Sequence, residues 1–277
     1  MIAPAEIDVA KLPLWTVFTA ASMGHLFRYL CIAGLAFLVF YVWRRGRRWA
    51  PKIQAEYPAS REMRREFLYS LVAIGIFGLT TAGMVVLKHF GFTRLYYQAG
   101  LYGWTYLALS VVLLIVAHDA YFYWTHRLMH WRRLFPIVHS VHHRSHTPTP
   151  WAAFAFHPLE AVIQAAFFPL IAFVLPVHPL AALAWLLYMT GMNVLGHCGF
   201  EILPLGFTRH WLLKWHNTTT HHDMHHRFVC HNYSLYFNVW DRLMGTNHER
   251  YEEEFERLKA HAKDAPPARG AELGDAA

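Results

Sequence analysis

Four stretches of this sequence are too apolar and too long to sit comfortably in water: residues 26–43, 67–87, 101–124 and 161–195. A helix crosses the hydrocarbon core of a bilayer with about 20 mostly apolar residues. The first three stretches each satisfy that length. The run 26–43 begins too deep, and ends too abruptly in Arg44-Arg45-Gly46-Arg47-Arg48, to be a cleaved signal peptide. The fourth stretch contains Pro169, Pro176 and Pro179, with His178 among them. Proline breaks the helical hydrogen-bond ladder, so this stretch reads as a tight hairpin of two shorter spans. Counted as one inserted unit, it brings the total to four. The predicted fold class is all-α: an integral membrane helical bundle of about four transmembrane helices carrying a cytoplasmic, histidine-rich, metal-binding cap.

Composition narrows the alternatives. Hydrophobic residues make up 55% of the chain and charged residues 16%. That balance excludes a disordered chain and disfavours a water-soluble globule. Cys31, Cys198 and Cys230 have no paired spacing, which excludes a disulfide scaffold, a CxxC redox site and a thiolate zinc cluster.

The 25 basic and 18 acidic residues give a net charge of +7. The excess flanks the spans. Arg44, Arg45, Arg47, Arg48, Lys52, Arg61, Arg64 and Arg65 lie between the first and second, and Arg127, Arg132, Arg133 and Arg144 follow the third. The intervening loop has Lys88 and Arg94 alone. The positive-inside bias puts the two richer segments in the cytoplasm, with the N-terminus outside and everything after residue 195 returned to the cytoplasmic side. The charge is a topology signal rather than a nucleic-acid groove, so no nucleic-acid partner is expected. Three regions are expected: membrane spans and a basic loop over 1–100, a catalytic domain over 101–250, and a C-terminal helix with a disordered tail over 251–277.

Histidine is the second constraint. Sixteen of 21 histidines fall between His118 and His226. They include H-R-L-M-H (His126, His130), H-S-V-H-H (His139, His142, His143) and H-H-D-M-H-H (His221, His222, His225, His226), with His197 standing apart in GHCGFE. At about 100° per residue, His126 and His130 share a helix face, with Asp119 close to the same line. Each H-x-x-H-H group clusters its imidazoles on one face and is expected to aim them at one point. Isolated histidines such as His25, His89, His178 and His261 read as packed, hydrogen-bonded side chains. With His221 set aside as outside the H-x-x-H-H spacing, eight imidazoles in these three groups, and His197 as a ninth, are different. Burial without a shared cation would leave many ring nitrogens unpaired at roughly 1–3 kcal/mol each. Neutral imidazole is a good ligand for iron, zinc, copper or nickel.

Nine donors are too many for one ion and suit two five- or six-coordinate ions with open positions. The sequence has no H-E-x-x-H and no carboxylate-rich di-iron pattern. The expectation is an all-histidine dinuclear site with iron as the metal, just past the cytoplasmic end of the third span and reachable by an apolar substrate from the bilayer. A non-enzymatic zinc- or copper-binding membrane protein is the alternative. A bis-histidine haem protein would leave most of these histidines unused, and a transporter would string them along a path through the membrane.

Four segments resemble the membrane fatty acid hydroxylase and sterol desaturase superfamily. DAYFYWTHRLMH (residues 119–130) is similar to its first histidine box, HSVHHRSHTPTPWAAFAFHPLE (139–160) to its second, TTHHDMHH (219–226) to its third, and NYSLYFNVWDRLMGT (232–246) to its closing signature. The resemblance spans roughly residues 117–246. TPTPWAAFAFHP looks most like the sterol C-5 desaturase branch, and GHCGFEILP like the methyl-sterol oxidase and bacterial lipid-hydroxylase branches. Ser234 stands where the family more often has glycine.

The resemblance implies two non-haem irons, O2 as co-substrate, and hydroxylation or desaturation of an unactivated C–H position in a membrane lipid. It implies His126, His130, His139, His142, His143, His197, His222, His225 and His226 as metal ligands. His157 is expected behind the ligands or along a substrate channel. Asp119 and Asp241 are expected to orient ligand imidazoles. Electrons are expected from a separate donor, a ferredoxin or small cytochrome, because the chain has no haem motif or nucleotide-binding glycine loop.

Overall fold

The computed structural model describes residues 12–43, 50–98 and 100–264. The basic run Arg44 to Arg48 and the tail 265–277, which the sequence predicts as disordered, lie outside the described residues. The described chain is helical. Extended pairing among these residues is confined to single bridges such as Lys52 with Phe200 and His216 with Phe237.

Helix α1 (Leu14–Phe37) continues through a wider π turn to Trp43, giving a 30-residue apolar span. It starts a dozen residues before the most apolar run, because the helix-compatible segment after Pro13 extends it outward. Helices α2 (Ser60–His89) and α3 (Gly103–Met129) are the second and third spans. The short α4 (Phe135–Val138) follows the first histidine group. Helices α5 (Pro158–Val174) and α6 (Pro179–His197) form the expected hairpin. Its two arms are unequal: α6 is long and apolar enough to cross a membrane, and α5 is shorter. The chain is thus a multi-pass membrane protein, with four helices of spanning length among the described residues.

The prolines of the hairpin divide in role. Pro169 does not break the chain but lies inside α5. Neighbouring helices can support a proline-interrupted ladder in an apolar segment. The reversal falls at Leu175–His178. Both arms begin the same way, with a His-Pro pair. The rings of His157 and His178 accept the amides of Leu159 and Leu180, at 3.3 and 3.1 Å, as helix N-caps. The following proline has no amide to leave orphaned. The tip is pinned to the α2–α3 connection, where Arg94 N donates to Ala172 O at 2.8 Å and the His178 ring donates to Tyr97 O at 3.0 Å.

Two apolar clusters hold the bundle. Tyr29, Ala33, Ala73, Ile74, Phe154, Ala161 and Val194 join α1, α2, α5 and α6. Leu114, Phe167, Val177, Ala181 and Trp185 join α3 to the hairpin. Where α1 crosses α2, Gly78 faces Ser22 so closely that an added Cβ would stand 3.1 Å from the Ser22 Cα and collide with its hydroxyl. Small residues permit such backbone approach in membranes. Gly78→Val is therefore expected to destabilise the bundle by about 1–3 kcal/mol through overpacking. A detergent melt should show it, while Gly75→Val, whose Cβ meets nothing within 4 Å, should melt like wild type.

The remaining helices, α7 (Thr219–Phe228), α8 (Val239–Leu243) and α9 (Tyr251–Asp264), build a cap over one end of the bundle. That end carries the C-termini of α3 and α6, and so His126 and His197.

Candidate metal centre

The nine histidines predicted as ligands gather in two adjacent groups. His126, His130, His139, His143 and His225 form the first, and His142, His197, His222 and His226 the second. Within each group the candidate donor atoms lie within 4.8 Å of one another.

The partition corrects one expectation from the sequence: an H-x-x-H-H group does not aim at one point. The second group sends its i, i+4 pair, His139 and His143, to the first cluster and His142 to the other. The third does the reverse, sending His222 and His226 to the second cluster and His225 to the first. On α7 the reason is angular, since His225 and His226 diverge by about 100°. Around His139 the chain is not a continuous helix. α4 ends at Val138, and His142–Arg144 form a separate 3-10 turn. The two clusters are stitched together by exchange between these boxes.

Ring orientation is fixed from behind. The Nδ1–H of His126 donates to Tyr233 O (2.7 Å), that of His197 to Asn193 O (2.7 Å) and that of His225 to His231 O (2.6 Å). A neutral imidazole has one N–H. With that proton committed to a carbonyl, each Nε2 presents a lone pair to the cluster. Yet Nε2 atoms face each other at 2.9 Å (His126 and His139), 3.1 Å (His143 and His225), 3.0 Å (His222 and His197) and 3.2 Å (His142 and His197). His197 Nε2 has one lone pair yet faces three ring nitrogens, those of His142, His222 and His226, at 3.0–3.2 Å, more than a single acceptor can satisfy. Nitrogens bound to one ion at about 2.1 Å stand about 3.0–3.4 Å apart for octahedral to tetrahedral angles. The observed spacings fit a shared cation.

Burial keeps the rings neutral. Desolvation first, and neighbouring imidazoles second, hold His139, His143, His222 and His226 well below the usual histidine range, and push His130 down to about 2. These rings therefore offer lone pairs to a metal at physiological pH.

The three supporting residues predicted from sequence act otherwise than expected. Asp119 does not touch a ligand imidazole. It lies seven residues, about 10 Å along the helix, behind His126, and its Oδ1 accepts the amides of Tyr236 (2.9 Å) and Phe237 (3.2 Å). Asp241 accepts the amides of Tyr233 (2.9 Å) and Ser234 (2.8 Å) and the Thr246 hydroxyl (2.7 Å). It thereby fixes the loop whose Tyr233 carbonyl holds His126. Of the histidines it approaches His221, at 3.6 Å, which lies outside both clusters. His157 is the N-cap of α5 and not a channel wall.

The carboxylate beside a ligand imidazole is one that sequence reasoning passed over. Glu160 Oε1 lies 2.8 Å from His139 Nδ1, and both side chains are 1% exposed. A lone glutamate in the first turn of an otherwise apolar helix was the available signal. Glu201 was also missed. It accepts the amide and hydroxyl of Thr220 at 2.9 and 2.7 Å and so anchors the start of α7, from which three of the histidines project.

An apolar cavity of about 680 Å³ runs among α1, α2, α3, α5 and α6. Phe122, Phe156 and Asn193 belong to its lining. The Phe122 ring centroid lies 5.0 Å from that of His126 and the Phe156 ring centroid 5.3 Å from that of His142, so the cavity wall adjoins both clusters.

Residues 111–246 match the family described as Fatty acid hydroxylase. A Delta(7)-sterol 5(6)-desaturase of Gibberella zeae is 30% identical over 84% of this chain and 68% of its own length. A lathosterol oxidase of Mus musculus is 30% identical over 67% of this chain and 61% of its own length. A Delta(7)-sterol 5(6)-desaturase of Aspergillus fumigatus is 27% identical over 84% and 75%. The chain thus spans about two thirds of the first two relatives. No solved structure matches.

Proposed function

Because the chain belongs to the fatty acid hydroxylase and sterol desaturase superfamily, we propose that it is a membrane-bound, O2-dependent oxidoreductase that holds two iron ions and hydroxylates or desaturates an unactivated C–H position of a membrane lipid. The observation that carries this reading is the convergence of ring-nitrogen lone pairs in two adjoining clusters of five and four histidines. The relatives named as sterol desaturases and lathosterol oxidases make desaturation the first outcome to test.

The five-histidine cluster would hold one ion and the four-histidine cluster the other. Fewer than six donors in each leaves a position free. When bound, iron supplies activation of oxygen and abstraction of hydrogen, chemistry that no protein side chain provides. The chain's own contribution is position and exclusion. Carbonyls of Tyr233, Asn193 and His231 set ring direction. Phe122 and Phe156 keep the substrate side dry and apolar. The cavity walls hold one carbon against the site, so that regiochemistry follows from placement.

Arg61, Arg64, Arg65, Arg132, Arg133 and Arg144 lie at the capped end by chain order, which supports a cytoplasmic active site. Reducing equivalents would come from a separate ferredoxin or small cytochrome. Residues 101–250 would form the catalytic domain, a range that includes the family match.

Comparative lipid mass spectrometry of cells with and without the gene tests this. A loss of two hydrogens means desaturation and a gain of one oxygen means hydroxylation. Purified protein that holds zinc or copper alone, and yields no oxygen-dependent product after iron reconstitution with a working reductant, would replace the oxidase with a metal-binding protein.

A further inference from the structure

Arg28 is an unusual residue for its place. It lies within the first span, is 8% exposed, and lines the apolar cavity. Its Nε donates to Thr190 Oγ1 at 2.9 Å, and that hydroxyl in turn donates to Leu186 O at 2.7 Å. Its Nη2 is buried with no hydrogen-bond partner. Among the described residues no carboxylate lines the cavity, and none pairs with Arg28. Gln164 Nε2 is a second buried donor in the lining without a partner.

A guanidinium is charged at any physiological pH. Buried in an apolar segment without a counter-ion, it is costly, and in membrane proteins such residues mark ligand sites. The cost falls most when the missing partner is an anionic oxygen, because the hydrogen bonds are then charge-assisted on both sides. A neutral hydroxyl would leave the charge uncompensated. Thr190 stands seven residues before His197 on α6, about 10 Å along the helix.

We propose that Arg28 anchors the polar end of the substrate, and that this end is an anionic carboxylate on an otherwise apolar lipid, held about 10 Å of helix rise from the histidine clusters. The carbon oxidised is then set by its distance from that carboxylate. This rests on the function proposed above, which makes the cavity the substrate's seat. Binding is read without turnover, so the two readings fail separately.

The test is equilibrium binding to the full chain, purified in detergent, of the fluorescent polyene fatty acid cis-parinaric acid and of its methyl ester. Wild type should prefer the acid by about tenfold or more, the gain expected from one charge-assisted pair. Arg28→Met should bind the ester as wild type does and lose the preference. Arg28→Lys, which keeps the charge, should retain part of it. Equal affinity for acid and ester in wild type, no binding of either, or an undiminished preference in folded Arg28→Met would overturn the assignment. If Arg28→Met does not fold, the wild-type ratio decides. Iron reconstitution of the same samples separates the hypotheses: no iron uptake and no oxygen-dependent product after reconstitution, with intact acid selectivity, removes the oxidase and leaves the anchor.

Discussion

His142→Ala will remove one metal ion and abolish the lipid product. In sequence His142 stands between His139 and His143, and a reading by proximity would assign all three to one ion. In the structure its Nε2 instead faces His197 at 3.2 Å, in the cluster completed by His222 and His226. Deleting this ring leaves three donors on that side and five on the other. Metal analysis of the iron-reconstituted protein should fall from about two ions per chain to about one, because the three neutral imidazoles left lack the anionic ligand that three-donor iron sites carry. Turnover should vanish, since the proposed oxidation would need both ions. His225→Ala should also abolish the product, but it leaves four donors in the five-histidine cluster, as many as the other cluster has intact, so metal content should stay close to two ions. His146→Ala is the control: His146 is exposed and outside both clusters, so metal content and product should persist. Two ions retained in His142→Ala, or active His142→Ala enzyme, would sink the two-cluster assignment.

The difference between those two readings of His142 marks where sequence stops being informative. Apolar length located α2, α3 and the hairpin, because a bilayer imposes one length on every span. The i, i+4 rule placed His126 with His130 and His222 with His226, because those pairs are related by helix geometry alone. It failed for His142 and His225. The helix angle already separates His225 from His226, but which cluster each ring joins depends on how α4, the following turn and α7 pack against one another, which no local period encodes. Asp119 failed for a related reason. Shared helix face was legible, but two turns of axial offset put the carboxylate out of reach of His126 and against the Tyr236 amide. Each of the two His-Pro pairs that start α5 and α6 could have been read as an N-cap followed by N1 proline. The family resemblance placed His157 behind the ligands or along a channel instead.

Glu160→Ala should weaken metal binding by about 10–100-fold, the usual effect of removing the partner behind a ligand histidine. Glu160 is held in the first turn of α5, where an apolar helix enters the bundle, and its Oε1 stands 2.8 Å from His139 Nδ1. An imidazole with a carboxylate behind it is oriented and made more electron-rich, and a cation in front offsets the negative charge that burial would otherwise disfavour. Carboxylate, ring and cation are thus mutually dependent, and the carboxylate makes the position of α5 sensitive to the metal. Glu160→Gln keeps an acceptor oxygen without the charge and should lose less than alanine does. The discriminating measurement is a double-mutant cycle read by chelator competition, with Glu160→Ala made in both wild-type and His139→Ala backgrounds. If Glu160 acts through His139, its removal costs nothing further once the ring is gone. An equal loss in both backgrounds would mean that Glu160 supports the fold of α5 rather than the ligand.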